Sequence, residues 1–348
     1  MKTGGSGGAE EAVLWLSQLL CQRGWNVEIY SGCVAEEKQY GEVVWKPLAA
    51  WNVGDPRDVV FLWRFPTQLK FQVNARAVYL ELQETIPPDG LTPERLARVT
   101  RIFIKSKFHR SAYPHIPEDK FVIVPNGIDA RLFAAAVPRD PMLIINTALP
   151  TRSLSALLDC YERIKNRVPQ ARLQWAYGWN VFDIQFGWDP AMREWKSRMR
   201  SKMAELGVED LGRLSYADVA QLYLKANIFA YPSEAAEVDC ISISKAMAAG
   251  AIPLTTDFAA MGEKSGHGGV FIPSNKTIDL WTRLRQSDFS IQDEKQKSQF
   301  VEEAVRLLQN PPPEEARRSM RLWSQATFDW DQIADQWPRQ IDEDLLLA

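Results

Sequence analysis

The chain has 348 residues, 46% of them hydrophobic and 24% charged, with a formal net charge of −3 at pH 7. That length suits two domains of ordinary size, and the near-neutral balance excludes a general attraction for nucleic acid. Cys21, Cys33, Cys160 and Cys240 are scattered, with no CxxC pair or His/Cys cluster, which excludes a zinc or disulfide framework and suits a reducing cytoplasm.

The chain starts at the glycine-rich MKTGGSGGAEEAV, which runs into a helical apolar pattern over 9–22. Glycines let a backbone approach a ligand closely, and a helix N-terminus stabilises an anion; a flexible terminus or linker has the same composition. A Rossmann-like domain normally begins with a buried strand feeding such a loop. The expectation is therefore an N-terminal domain lacking its first strand, which either lies upstream, the favoured reading, or has been lost. Strands are predicted at NVEIYSG, EVVWKPL, DVVFLWRF, AVYLELQE, RIFIKS and FVIVPNG, all β-branched or aromatic runs closed by polar or turn residues. Thr92-Pro93 is a helix start.

A second alternating series begins near 142, with MLIINTA, RLQWAYG, IFAYPS, AIPLTT and GVFI as strands. The helical patterns LSALLDCYERIKNR, DPAMREWKSRMRSKMAELG and SYADVAQLYLKA lie between them, the last with Ser215 and Asp218 at capping-box spacing. Strands alternating with helices imply parallel sheets and an α/β architecture. AAAVPRDP at 134–141 reads as the linker, and from about 275 the chain is expected to be mostly helical, broken by PPP at 311–313. The domains expected are 1–138, 139–320 and a helical tail over 321–348 packing back towards the first. No segment reaches the ~20 apolar residues of a membrane span.

Several positions carry chemistry. Glu81, Gln83 and Glu84 end an apolar strand, where parallel α/β sheets put ligands; a solvated loop acid is the plainer reading. KSKFHR at 105–110 reads as a solvated basic face, with a phosphate or anionic lipid surface left open. Arg152 lies between a strand and a helix, where a guanidinium can clamp a diphosphate. In EAAEVDCISISKAMAAGAIPLTTD, over 234–257, a loop with Glu234 and Glu237 leads into a small-residue helix ending at Gly250, with Lys245 inside it. Its N-terminus can face a phosphate, and Glu237 can accept hydrogen bonds from sugar hydroxyls. Asp329-Trp330-Asp331 and Asp342-Glu343-Asp344 lie in the helical tail away from any strand end and are set aside as metal sites. His109, His115 and His267 have no metal-ligand spacing; His109 or His115 as a catalytic base is a minor reading.

Taken together, GGAE at 7–10, VPNGID at 124–129, YPSEAAEVDCISISKAMAAGAIPLTTD at 231–257 and ATFDWDQIADQW at 326–337 resemble a GT-B glycosyltransferase of family 4. The resemblance is closest to a subgroup with a strand–loop like INTALPTRSLSALL, then YGW, then Glu-x-x-Cys-Ile in place of the full Glu-x7-Glu motif. It implies two Rossmann-like domains facing across a cleft, and a retaining transferase using a nucleotide-sugar donor. It also implies roles. Gly7 and Gly8 would lie near the donor phosphates, with Arg152 on the diphosphate. Gly178 and Leu214 would meet the base. Glu237 would hold the donor sugar, with Cys240, Ile241 and Ser242 forming the turn beneath the phosphates. Gln83 and Glu84 fall on the acceptor side, where many members have a histidine–aspartate pair, and Arg152, Glu237 and Glu84 are the catalytic candidates.

Three positions depart from the family pattern. Lys245 replaces the second glutamate, Arg152 stands without the usual lysine partner because the earlier position is Thr147 or a neighbour, and Gln83 replaces the histidine. The leaving diphosphate would be stabilised by an arginine and helix N-terminal amides, without a metal. No cofactor is implied beyond the nucleotide sugar as co-substrate. The expected partners are a UDP- or GDP-linked hexose donor and a saccharide or lipid-linked acceptor, in the cytoplasm, with peripheral attachment at the inner membrane face left open. The alternative is a catalytically silent GT-B protein that binds a nucleotide or glycan or serves as a subunit. A phosphorylase-like enzyme with pyridoxal phosphate on Lys245 has no other support in the sequence.

Overall fold

Apolar runs of four to seven residues that are buried on both faces can only pair as parallel strands covered by helices, and two such sheets form here. The computed structural model describes residues 7–274, 280, 286 and 288–347. Among these, residues 7–127 with 328–347 form one compact unit and Ile128–Thr327 the other. The stretch before Gly7, including Gly4 and Gly5 of the glycine run, lies outside the described residues.

In the first unit, helix α1 (Gly8–Gln22) buries Ala12, Leu16, Leu19 and Leu20, the spacing of one helix face. Strands β1 (Glu28–Ser31), β2 (Lys38–Tyr40) and β3 (Val43–Pro47) make a mixed sheet in the order β1-β3-β2. The exposed KQY of β2 has no apolar alternation and was not predicted; it is a strand because it pairs antiparallel with β3. Strands β4 (Arg57–Trp63), β5 (Ala75–Glu81), β6 (Arg101–Ile104) and β7 (Phe121–Ile123) form a parallel sheet in chain order. Short helices α2 (Pro93–Leu96) and α3 (Lys107–Ser111) connect them. Tyr79 and Phe103 are fully buried, and the Phe103 ring stacks on Trp337 with centroids 5.6 Å apart. Trp337 belongs to the C-terminal helix Gln336–Leu347, which packs on this sheet through Asp344, a hydrogen-bond acceptor for the Tyr79 hydroxyl (3.0 Å) and an ion-pair partner of Arg101 (3.0 Å). Gly127 is set by close approach: a Cβ there would lie 2.4 Å from the Trp330 ring.

The basic run at 105–110 is not the solvated face expected. Lys105 and His109 are buried, with Lys105 ion-paired to buried Glu81 at the end of β5. The apolar strand before Lys105 carries it inward, and the α3 turn returns His109 beneath it.

In the second unit, β8 (Asp140–Asn146), β9 (Arg172–Trp175), β10 (Glu209–Asp210), β11 (Ala226–Tyr231), β12 (Ile252–Thr256) and β13 (Val270–Ile272) form one parallel sheet in the order β10-β9-β8-β11-β12-β13. Helices α4 (Pro150–Arg167), α5 (Asn180–Phe186), α6 (Pro190–Leu206), α7 (Tyr216–Lys225) and α8 (Ile241–Ala249) lie between the strands. Of the capping-box pair, Ser215 acts as the N-cap: its hydroxyl accepts from the Asp218 N–H at 3.2 Å and donates to the Asp218 carboxylate at 2.6 Å. Helix α8 ends at Gly250, whose φ of 78° is left-handed; buried Arg317 donates to the Gly250 carbonyl (2.8 Å) and to Asn227 Oδ1 (2.5 Å). Of the stretch expected to turn helical near 275, Leu280 is helical, while 275–279, 281–285 and 287 lie outside the described residues; at 288–293 the chain is neither helix nor regular strand, and Ser290 bridges Ser233. Helices α9 (Glu294–Gln309) and α10 (Glu314–Phe328) follow, on either side of the prolines.

The strand order reverses between β8 and β11. From β8 the chain moves outward to β9 and β10, then returns to the other side at β11. Ligands of open α/β sheets bind at such a switch point, outside the carboxyl ends of the strands. No described helix is long and apolar enough to cross a membrane.

Candidate functional site

Two loops flank the switch point, and each carries a residue singled out in the sequence. After β8, Asn146 is buried and donates to the Ala230 carbonyl (2.7 Å) and Ser153 Oγ (3.1 Å), tying the start of α4 to β11. Pro150 occupies the first turn of α4, where a missing N–H costs nothing, and Arg152 follows it. After β11, the loop 232–240 carries Glu237. Arg152 Nη1 lies 3.9 Å from Glu237 Oε1, and Glu237 Oε1 accepts a 2.7 Å hydrogen bond from the Tyr231 hydroxyl. Burial first, then the Glu237 charge, holds the Tyr231 phenol well above its ordinary pKa, so it stays a donor. The Arg152 and Glu237 side chains keep 33% and 24% of their surface in solvent: fixed, yet within reach of a ligand.

A third segment, unremarked in the sequence, completes this wall. Phe289 N–H donates to the Thr151 carbonyl (2.8 Å), and the Phe289 carbonyl accepts from Glu234 N–H (2.7 Å), stitching both loops together. Its ring lies 5.0 Å from the Arg152 guanidinium, an arrangement that orients the cation. Its only neighbour signal in sequence is DFS, too short to show a strand.

Cys240 N-caps α8 in a left-handed conformation, φ 58°, rare for a residue with a Cβ. Beneath it, buried Lys264 pairs with buried Asp239 (2.7 Å) and donates to Ser244 Oγ (2.7 Å) and the Cys240 carbonyl (3.3 Å). Three acceptors around one ammonium are what makes a buried charge tolerable, and they hold the turn that aims the α8 N-terminus. Lys264 escaped the sequence reading because its partners lie 20 to 25 residues away. Cys240 is buried and its thiol is pushed far up by burial, so the position offers backbone rather than a nucleophile. Ile241 and Ser242 follow half-buried in the first turn of α8, and Lys245, one turn on, has its ammonium 5.8 Å from the Tyr216 ring. Thr147 bonds the Tyr223 hydroxyl at 2.5 Å.

Gly178 is brought against the segment just before Leu214: a Cβ at Gly178 would lie 3.2 Å from the Arg213 backbone nitrogen. Leu214 lines a groove of about 530 Å³ together with Leu211 and, on α7, Gln221.

In the first unit the predicted residues gather at the carboxyl ends of β4 to β7. Gly7 caps α1, its carbonyl accepting from Glu11 N–H at 2.9 Å, and Gly8 opens the helix. Gln83 is buried; its amide donates to Asn126 Oδ1 (3.1 Å) and Glu81 (2.9 Å), and its carbonyl accepts from Asn126 Nδ2 (2.9 Å). Glu84 keeps 49% of its side chain in solvent and pairs with Arg64, which also reaches Glu10 at 2.7 Å. Arg64 was not singled out in the sequence. Burial, then the Lys105 charge, lowers the His109 pKa to about 3, so the ring is neutral; its Nδ1 accepts from Lys105 N–H at 3.3 Å. His115 is exposed. Asp329 caps the short helix Trp330–Ile333, and Asp344 is committed to Tyr79 and Arg101. No group of three or more His, Cys, Asp or Glu side chains placed to hold a metal occurs among the described residues.

Residues 142–312 match the family model described as glycosyl transferases group 1. No curated protein matches the sequence. Among solved structures, sucrose-phosphate synthase from Thermosynechococcus elongatus superposes with a TM-score of 0.72 at 15% identity, over 99% of this chain and 95% of that one. A glycosyltransferase from Rickettsia africae gives 0.69 at 14% identity, over 98% and 96%. The HepE protein of Anabaena, solved with UDP and glucose, gives 0.64 at 14%, over 99% and 98%. At these identities the likeness establishes the fold, two Rossmann-like units of the GT-B class, while the family model carries the activity. Residues 142–312 are thus a glycosyltransferase group 1 domain, and the protein is a glycosyltransferase.

Proposed function

We propose that the protein is a retaining, metal-independent hexosyltransferase of family 4 that moves a sugar from a UDP- or GDP-linked donor to a saccharide or lipid-linked acceptor. The observation that carries this reading is the meeting of Arg152 and Glu237 across the β8–β11 switch point. A guanidinium at the start of one helix and the free N–H groups of a second, α8, surround the place where a diphosphate would sit. Glu237, fixed by Tyr231, supplies an acceptor for sugar hydroxyls. The UDP and glucose bound to HepE favour a UDP-hexose among the donors.

In the reaction, the bond between the anomeric carbon and the phosphate oxygen breaks and its electron pair stays on the phosphate. Arg152 stabilises that growing charge, the role of a preorganised electrostatic group. The acceptor oxygen attacks from the face the phosphate leaves, and its proton passes to the departing phosphate oxygen. No protein nucleophile is needed, which agrees with a buried Cys240 thiol held protonated. For a lipid-linked acceptor the protein works peripherally at the inner membrane face.

The test is release of UDP or GDP from a panel of nucleotide sugars with saccharide and lipid-linked acceptors, with the product's anomeric configuration read by NMR. Turnover with a retained anomer is expected. No release from any donor would favour the catalytically silent reading, for which the closed Gln83–Asn126 pair and Lys245 are the supporting observations.

A further inference from the structure

We propose that Arg64 is a positioning residue of the acceptor side: it fixes the Glu84 carboxylate and the start of α1 in one arrangement. This rests on the glycosyltransferase reading above. Arg64 directly follows β4, and its φ of 72° is left-handed. A residue with a Cβ is disfavoured there, and glycine is the default. The backbone is locked in this state, because Arg64 N–H donates to the Glu81 carbonyl at 2.8 Å. A position that asks for glycine but carries arginine points to a use for the side chain, since strained backbone gathers at functional sites.

The side chain is used twice. One guanidinium nitrogen donates to Glu10 Oε1 at 2.7 Å, in the first turn of α1, and another to Glu84 Oε1, in the loop after β5. The Phe65 ring lies 5.4 Å from the guanidinium carbon. Stability does not account for this arrangement. The side chains keep 26%, 53% and 49% of their surface in solvent for Arg64, Glu10 and Glu84, and ion pairs so exposed contribute little to folding. What the fork does supply is geometry: it orients Glu84 through one oxygen and leaves the side chain open to a ligand. It also ties that orientation to the helix start at Gly7 and Gly8.

Backbone strain and side-chain use can be separated with Arg64→Gly. The glycine relieves the left-handed strain, so the variant should melt at or above the wild-type temperature. Its kcat/KM for the acceptor should fall on the order of tenfold or more, and further than its kcat/KM for the nucleotide sugar. Arg64→Lys, which keeps the charge without the fork, should recover part of the rate. In a double-variant cycle with Glu84→Gln, the losses should coincide rather than multiply. The donor and acceptor used are those giving the fastest release in the panel above. An active wild type with an unaffected Arg64→Gly overturns this proposal alone, as do multiplying losses in the cycle or a folded Arg64→Lys with full rate. A wild type silent with every donor overturns the transferase reading, and this proposal with it.

Discussion

Glu237 receives one hydrogen bond and faces one cation, so its contribution to stability and its contribution to turnover can be separated. In Glu237→Gln the amide oxygen still accepts from Tyr231, and only a 3.9 Å pair with half-exposed Arg152 is lost. Stability should change by less than ~1 kcal/mol. Turnover should drop roughly 10²-fold, the size expected when one preorganised polar group is removed, which donor-release kinetics beside a thermal melt would show. The cysteines give a second test at this scale. Burial raises the thiol pKa of Cys21, Cys160 and Cys240, that of Cys160 to about 12, whereas Cys33 is exposed. A thiolate is the reactive form. Native protein should therefore titrate one thiol with a disulfide reagent, and denatured protein all four.

Among the elements, α8 is the most exposed to a single change at its end. Gly250 has φ 78°, and a Cβ there would lie 2.8 Å from Arg139 Nη2, a nitrogen already held by the Ala249 carbonyl at 2.9 Å. Gly250→Ala should cost about 1–2 kcal/mol in a urea titration. That glycine stop could be read in the sequence, as could most strands, because burial on both faces writes itself as a β-branched run. Arg152 and Glu237 could be located for a related reason: strand ends are visible, and strand ends are where such sheets bind ligands. What could not be read is pairing across distance. Exposed β2 exists through β3 alone; Lys264 and Phe289 take their meaning from loops far away in the chain. Arg64 fell inside the predicted strand run DVVFLWRF, since no local pattern reports a positive φ. The basic run holding Lys105 and His109 misled for the same reason, its buried partner Glu81 being invisible in its own segment.

At the scale of the whole molecule, His109 links folding to acidity. Its pKa is about 3 in the folded protein against an ordinary 6.5. Between those values the unfolded chain binds a proton that the folded one refuses. The stabilising contribution is therefore complete above about pH 6.5 and is lost as the pH falls towards 3, by up to ~1.4 kcal/mol per unit. The wild type should lose about 1.6 kcal/mol from this group between pH 6.5 and pH 5, and His109→Gln should flatten that slope in urea titrations across the range.

The first unit is assembled from residues 7–127 and 328–347, with the second unit between them in the chain. Protein synthesis is vectorial, so the β4–β7 sheet leaves the ribosome long before the helix that covers it. At ~5–20 residues per second, the 200 residues of 128–327 delay that helix by about 10–40 s. During that interval Tyr79 and Phe103 have no Trp337 against them, and a chaperone has a waiting client. The second unit, continuous in the chain, is free to fold meanwhile. Chains stalled after residue 327 plus a flexible linker long enough to clear the exit tunnel should yield a protease-resistant 128–327 fragment and a digestible 7–127, and release of the full chain should protect both. The Gln336–Leu347 helix is then less an appendage than a closing clasp, and the first unit stays half-made until residues 328–347 arrive.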